Sequence, residues 1–326
     1  MSFKVTFIFY NNFTAYSWSP AIQALSAYIK MHSDCATELL HINDSYGVHS
    51  DPRTIIEILR KSKPNLIAFT STSFGYSQVN ELAGYIKSEF SKIPVILGGV
   101  HATLKPEDLN DSNFDGFCIG EGEIPLLKAV TALKTKKGYL NTPSFHFKVN
   151  GNILKNPLES YEKDLNKLPP YDWDIFDTPK LLKLRDGWIS LSVSRGCPFN
   201  CNFCINHRIK RILGKEGYVR QKTVERTIKE LLDLIKRFSI KVFNFEDDIL
   251  IFNRTWTDEF LERYKKEIYD RYKIKFKIEA RVDLVGENII NNLKEAGCQE
   301  IQFGVETGNP YLRNFILNKS VSDGHI

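Results

Sequence analysis

The sequence has no apolar run approaching the roughly 18 residues that a membrane-crossing helix needs. Nor does it carry a strong charge of one sign. Lysine and arginine number 44 against 39 aspartates and glutamates, a formal net charge of +5. That balance neither demands nor excludes a polyanion, and nucleic acid is not an expected partner. A leader pattern is also missing: the chain opens Met1-Ser2-Phe3-Lys4-Val5, alternates like a strand and meets Asn11-Asn12 without a cleavage-site pattern. Cysteine is sparse, six in 326 residues, too few for a disulfide scaffold. These absences lead us to expect a cytoplasmic protein in a reducing compartment, with length for about two domains.

Half of that small cysteine complement is concentrated in one place. Cys35, Cys118 and Cys298 stand alone and read as small buried hydrophobes. The other three lie in Ser194-Arg195-Gly196-Cys197-Pro198-Phe199-Asn200-Cys201-Asn202-Phe203-Cys204, at the spacing C-x3-C-x2-C. Three thiolates from one short loop can grip a soft metal centre, and iron–sulfur clusters are held by such ligands. A cubane cluster takes four cysteines as a rule, so a triad leaves one iron open to a small molecule. Gly196, Pro198, Asn200 and Asn202 disfavour a helix, which predicts a loop wrapped around its ligand. A structural zinc site with His207 as fourth ligand is the alternative, although the spacing differs from paired C-x2-C knuckles.

Ahead of this loop, strand-like and helix-like segments alternate. Short β-rich runs fall at residues 4–10, 37–42, 66–71, 94–97 and 116–119, with helical patterns over 20–31, 53–61, 78–90 and 123–134. The alternation predicts an α/β domain with a doubly wound parallel sheet, whose ligands lie beyond the carboxyl ends of the strands. Three small-residue turns fall at those ends: Ser71-Thr72-Ser73, Gly98-Gly99 with His101, and Gly120-Glu121-Gly122. Glycine there lets backbone approach a ligand. A β-hairpin over 144–155, turning at Asn150-Gly151, and a stiff segment around Pro169-Pro170 form a connector. Within that segment Tyr171 and Trp173 are expected on the surface.

Behind the loop the alternation resumes. Strands are expected at 241–245, 275–280 and 299–305, with helices over 224–235, 256–272 and 289–296. Polar residues close the strands: Glu246-Asp247-Asp248, Arg281 after Glu279 near the end of the next, and Glu306-Thr307-Gly308. This pattern predicts a partial (β/α) barrel with its site at the strand C-termini. Arg208, Lys210, Arg211 and Lys215 form a basic run read as a solvated face, with anionic-substrate contact as the alternative.

The cysteine spacing, the apolar run Trp188–Val193 before it and Phe203 directly before the last cysteine resemble the radical SAM superfamily. Leu97-Gly98-Gly99-Val100-His101-Ala102-Thr103 and Ile119-Gly120-Glu121-Gly122-Glu123 resemble the cobalamin-binding domain fused ahead of many such enzymes. The resemblance implies a Rossmann-like cobalamin-binding domain over 1–140, a connector over 141–185 and a radical SAM partial barrel over 186–326. It implies a 4Fe-4S cluster on Cys197, Cys201 and Cys204, with S-adenosylmethionine (SAM) on the open iron. Phe203, Glu246, Asp247, Asp248, Glu279, Arg281 and Glu306 would contact SAM. Cobalamin would lie across Ser71, Thr72, Ser73, Gly98, Gly99, His101, Gly120, Glu121 and Gly122.

The implied activity is reductive cleavage of SAM to a 5′-deoxyadenosyl radical, with cobalamin-dependent methyl transfer to an unactivated carbon. The alternatives are a radical rearrangement or cyclisation, and a non-catalytic corrinoid-binding module with a zinc loop. A small-molecule or natural-product substrate and an electron donor such as flavodoxin or ferredoxin are the implied partners. Three departures from the family pattern stand out. The Asp-x-His-x-x-Gly motif that supplies an axial histidine in other cobalamin proteins is absent, so His101 is not assigned to cobalt. Glu246-Asp247-Asp248 replaces a Gly-Gly-Glu motif. The family expects two further βα units after the fourth, where this sequence ends and reads as truncated.

Overall fold

The computed structural model describes residues 2–12 and 16–326; Met1, which heads the N-terminal run read above, and residues 13–15 lie outside it. The described residues form two compact units. One takes in the chain up to Tyr161 with Leu168–Asp177; the other is Glu162–Lys167 with Thr178–Ile326. Among the described residues, no helix is long and apolar enough to cross a membrane.

The first unit is built on a seven-stranded sheet. Strands β1 (Lys4–Tyr10), β2 (Ala36–Ile42), β3 (Leu66–Thr70), β4 (Val95–Gly98) and β5 (Gly116–Cys118) run parallel. Then β6 (Phe145–Val149) and β7 (Asn152–Lys155) extend it antiparallel, in the order β2-β1-β3-β4-β5-β6-β7. Leu66, Ile67, Ala68 and Phe69 of β3 are all buried, as a strand covered on both faces must be. The helices start where capping chemistry places them. Ser19 and Asp51 accept from the backbone N–H of Ile22 and Thr54 at 3.4 and 3.2 Å, with Pro20 and Pro52 in the first turns. Strand order reverses beside β1, which has β2 on one side and β3 on the other. Such a switch point opens a crevice at the carboxyl edge.

Two expectations about the connector change. The hairpin is part of the sheet: β6 pairs with β5, which would otherwise be an exposed edge. Its turn has positive φ at both Asn150 (49°) and Gly151 (77°), as a type I′ turn requires. Trp173 is buried, its ring 6.0 Å from that of Trp18. The Asp172 carboxylate accepts from Lys30 Nζ at 2.7 Å and from the Ser26 hydroxyl. Stiffness from the prolines lets this segment dock instead of trailing.

In the second unit β8 (Trp188–Leu191) and β9 (Ser194–Arg195) precede the long excursion that carries the cysteines. β10 (Arg220–Gln221) returns antiparallel to β9. β11 (Val242–Phe245), β12 (Lys275–Ala280) and β13 (Cys298–Phe303) then stack parallel in the order β8-β11-β12-β13. The winding never reverses, which is barrel-like progression. Phe243, Phe245, Phe260, Tyr264 and Phe276 fill the core, with Tyr264 and Phe276 ring centres 4.7 Å apart. The helix expected over 256–272 runs Arg254–Tyr264 and continues to Tyr272 through a widened turn at Lys265–Tyr269. Beyond β13 the chain makes one widened helical turn, Leu312–Ile316.

Candidate functional site

The cysteine loop leaves β9 through Gly196, whose φ is +83°. A Cβ there would stand 2.5 Å from the carbonyl oxygen of Tyr218, so only glycine fits. Lys210, expected on a solvated face, is buried and donates to the carbonyls of Pro198 (3.0 Å) and Phe199 (3.4 Å). Arg208, Arg211 and Lys215 are exposed, so the basic run divides by helix face. The far side of the loop is strapped by the segment after β13. Asn202 donates its backbone N–H to Leu317 O (2.9 Å) and its amide to Ile316 O (2.9 Å), while the Asn318 amide reaches Asn200 O (3.0 Å).

All six cysteines are free thiols. Cys201 is buried, and Cys197 and Cys204 are half-buried. Burial pushes the Cys197 thiol up, with Phe199 backbone opposing and Asp248, Cys204 and Cys201 adding repulsion. Among the described residues, no three His, Cys, Asp or Glu side chains converge closely enough to hold a single metal ion. In an iron–sulfur cubane each thiolate binds a different iron. The donor set suits such a cluster: Arg281 Nη1 lies 3.6 Å from Cys201 Sγ, and the Asn206 backbone N–H and amide lie 3.5 and 3.7 Å from Cys204 Sγ. N–H groups on sulfur favour the negatively charged forms.

At the strand ends the residues singled out from sequence divide into three groups. Glu246, Asp248 and Glu279 all reach solvent, and the first two act electrostatically on the third. Burial raises the Glu279 pKa and Glu246 and Asp248 raise it further, against Lys277. Such mutual repulsion is relieved by a cation, so the trio suits an ammonium or sulfonium group. Asp247 turns the other way. It is 1 % exposed, and Oδ1 accepts from Val193 N–H (2.9 Å), Ser194 N–H (2.5 Å) and the Ser194 hydroxyl. Oδ2 has no partner among the described residues. Burial lifts this carboxyl to about 6 despite those bonds. Asp247 thus clamps the residues from which the cysteine loop departs.

Arg281 and Glu306 form the third group and are already engaged. Arg281 is buried against the loop, and Glu306 Oε1 accepts from Lys319 Nζ at 2.8 Å. Phe203 is half exposed, with Lys319 Nζ 5.5 Å from its ring centre. Sequence reasoning passed over Asn206 and Lys319. The Asn206 amide nitrogen bridges Cys204 and Asp248 Oδ1 (2.7 Å), and its oxygen accepts from the Tyr218 hydroxyl (2.8 Å). Its place two residues after the last cysteine was the available signal.

In the first unit the three turns are laced together. His101 N–H donates to Ser71 O (3.1 Å), Ser71 N–H to Gly98 O (3.3 Å), and Gly120 N–H to Thr103 Oγ1 (3.0 Å). Gly99, at φ +91°, would place a Cβ 2.7 Å from Thr70 Oγ1. Gly98, Gly99, Gly120, Glu121 and Gly122 are half-buried, and Thr72 and Ser73 are exposed, so backbone lines the rim. Phe74, not singled out from sequence, is 76 % exposed beside them. His101 is buried, stacked 3.7 Å from Tyr76, with Nδ1 3.1 Å from Ser73 Oγ and Nε2 3.3 Å from Asp108. Its imidazole packs behind the rim, and burial lowers its pKa despite Asp108. A broad ligand can approach such a rim without an axial side chain.

Comparisons with known proteins agree with both halves. A family model described as the Radical SAM superfamily matches residues 191–323, and one described as a B12 binding domain matches residues 21–130. An uncharacterized methyltransferase of Pyrococcus horikoshii is 28 % identical over 80 % of this chain and 56 % of its own length. The anaerobic magnesium-protoporphyrin IX monomethyl ester cyclase of Rubrivivax gelatinosus is 23 % identical over 94 % of this chain and 55 % of its own. The chain thus spans about half the length of the curated relatives it matches. Among solved structures, the cobalamin-dependent S-adenosylmethionine radical enzyme OxsB, with aqua-cobalamin and S-adenosylmethionine bound, superposes with a TM-score of 0.81. It shares 23 % identity over 99 % of this chain and 46 % of that one. The radical S-adenosylmethionine methyltransferase TsrM of Kitasatospora setae gives 0.76, at 15 % identity over 96 % of this chain and 61 % of that one.

Proposed function

The chain belongs to the radical SAM enzymes that carry a B12-binding domain, and from that premise we propose a cobalamin-dependent radical SAM methyltransferase acting on an unactivated carbon of a small molecule. When bound, a reduced 4Fe-4S cluster supplies the electron that cleaves SAM, and a corrinoid supplies methyl-transfer chemistry. Cys197, Cys201 and Cys204 hold the cluster. Glu246, Asp248 and Glu279 receive the cationic part of SAM, and Phe203 offers a ring face to its adenine. Asp247 and Lys210 fix the loop, so the thiolates are set before any ligand arrives. The turns at Ser71–Ser73, Gly98–Gly99 and Gly120–Gly122 bind the corrinoid through backbone. The corrinoid-binding part takes 1–140 and the cluster-binding part 186–326. The reaction draws electrons from a flavodoxin or ferredoxin in a reducing cytoplasm.

One observation carries the proposal: a three-cysteine loop at the carboxyl edge of a parallel sheet, with N–H groups aimed at the sulfurs of Cys201 and Cys204. Anaerobic reconstitution with iron and sulfide tests it. A brown protein that bleaches with dithionite, and loses colour in the Cys201→Ala variant, is the expected result. A colourless protein with stoichiometric zinc overturns it. The relative named as a cyclase supports a second outcome, ring formation in place of methylation. S-adenosylhomocysteine formed together with 5′-deoxyadenosine indicates methyl transfer; 5′-deoxyadenosine alone indicates the cyclase type.

A further inference from the structure

Arg281 follows directly after β12 and is 8 % exposed. Its nitrogens are all engaged. Nε and Nη2 form a fork onto Asp283 Oδ1 (3.0 Å) and Oδ2 (2.9 Å), and Nη2 also donates to Lys319 O (2.6 Å). The guanidinium carbon stands 3.7 Å from the ring centre of Phe199, inside the cysteine loop. What remains is Nη1, which points at Cys201 Sγ from 3.6 Å.

The fork fixes the guanidinium plane, and the plane fixes where Nη1 points. The three sulfurs are therefore unequally served. Cys204 receives neutral N–H groups from Asn206, whereas Cys201 receives an N–H of a guanidinium whose charge is paired with Asp283. Reducing a cluster adds one electron and one negative charge, with no bond broken and no proton required. A cation and an N–H beside a ligating sulfur favour the more negative state, and net charge and hydrogen bonds to sulfur are among the determinants of cluster potential.

We infer that Arg281, aimed by Asp283, is a positioning residue that sets the reduction potential of the cluster through Cys201. The inference rests on the iron–sulfur assignment proposed above, and reaches beyond it by assigning to Arg281 a role other than SAM contact. Reconstituted protein is titrated anaerobically with dithionite, following visible absorbance and electron paramagnetic resonance. Arg281→Gln should make reduction harder by at least tenfold in equilibrium constant, a shift of about 59 mV to more negative potential for a one-electron couple. Arg281→Lys, which keeps charge but loses the fork, should shift it in the same direction by less. Asp283→Asn should move it the opposite way, because the cation loses its counter-charge.

Equilibrium constants for reduction that stay within twofold of wild type (about 18 mV), or potentials that move in the same direction for Arg281→Gln and Asp283→Asn, overturn the inference. Should Arg281→Gln fail to hold iron, the opposed signs of Arg281→Lys and Asp283→Asn decide it. Wild-type protein without acid-labile sulfide would end the cluster assignment itself. Sulfide present with unmoved potentials ends only the role of Arg281.

Discussion

The two sheets finish in rims of opposite character. In the first unit the rim is backbone: glycines at positive φ, hydroxyls, and a histidine packed behind them. Among the described residues, Glu123 is the one buried formal charge there. In the second unit Lys210, Arg220, Lys222, Asp247, Arg281, Arg313 and Lys319 are all buried. A buried ion costs several kcal/mol unless it is paired and hydrogen-bonded, so this concentration is not free. Lys210, Arg281 and Lys319 contact the cysteine loop or its aromatic residues directly. A rim of backbone suits a large ligand held by shape. A rim of buried cations behind three thiolates suits a centre that becomes anionic.

Substitutions at two glycines should separate the rims most sharply. Gly196→Ala imposes a left-handed backbone on alanine, costing about 1–2 kcal/mol, before the 2.5 Å approach to Tyr218 O is relieved. We expect it to lose most reconstituted iron and sulfide while still binding hydroxocobalamin. Gly99→Ala should do the converse, weakening corrinoid binding and leaving iron content intact. Iron lost from both variants alike would erase the contrast.

Asp247 gives the next largest effect. Asp247→Ala leaves the N–H groups of Val193 and Ser194 without their acceptor, at about 1–3 kcal/mol for each that stays buried and unsatisfied. Asp247→Asn keeps an acceptor and removes the ionisation. Burial raises this carboxyl from 3.8 to about 6, so its stabilising contribution is full below about pH 4 and is lost as pH rises through 6. Relative to Asp247→Asn, wild type should lose up to about 3 kcal/mol between about pH 4 and pH 8. Urea unfolding at the two pH values measures this, and a parallel pH dependence in both proteins would show that Asp247 is not the titrating group.

Periodicity was enough to foresee both sheets, because alternating apolar runs and capped helices are local signals. The cysteine loop was equally legible, since three thiols within eight residues leave few alternatives. What stayed hidden was direction. Glu246, Asp247 and Asp248 are neighbours in sequence, yet in the irregular segment after β11 Asp247 turns under the loop to Val193 and Ser194 while its neighbours stay exposed. Arg281 read as a ligand for SAM because it follows a strand end; only the position of Asp283 shows that its fork is already used. The docking of Trp173 depended on contacts with Trp18, far away in sequence, and left no local trace.

His101 offers a smaller and more specific effect. His101→Ala removes the stack on Tyr76 and the contact with Ser73, which should cost the first unit about 1–2 kcal/mol. The absorbance of bound hydroxocobalamin should not change, because the ring lies behind the rim. Burial holds the histidine pKa below its usual value, so its contribution is full above that value and declines as pH falls through the lowered one. A change in the corrinoid spectrum would make His101 an axial ligand and the two rims alike in using side chains on their cofactors.

The smallest effect tests whether burial, and not basic charge, ties the helix Asn206–Leu213 to the cysteine loop. Lys210 reaches two loop carbonyls from the buried side of that helix, while Arg208 and Arg211 project outward. Hydrogen bonds from a charged donor contribute about 1.5–3 kcal/mol each, largely offset here by desolvating the ammonium. Lys210→Met keeps the apolar stem and deletes the donor, so a loss of about 1 kcal/mol and faster release of iron to a chelator are expected. Arg208→Ala and Arg211→Ala remove equal charge from the solvated face and should change stability by less than about 0.5 kcal/mol. Equal iron-release rates in all three variants would assign the effect to net charge, and the second rim would then owe its character to the sum of its cations, not to where each is held.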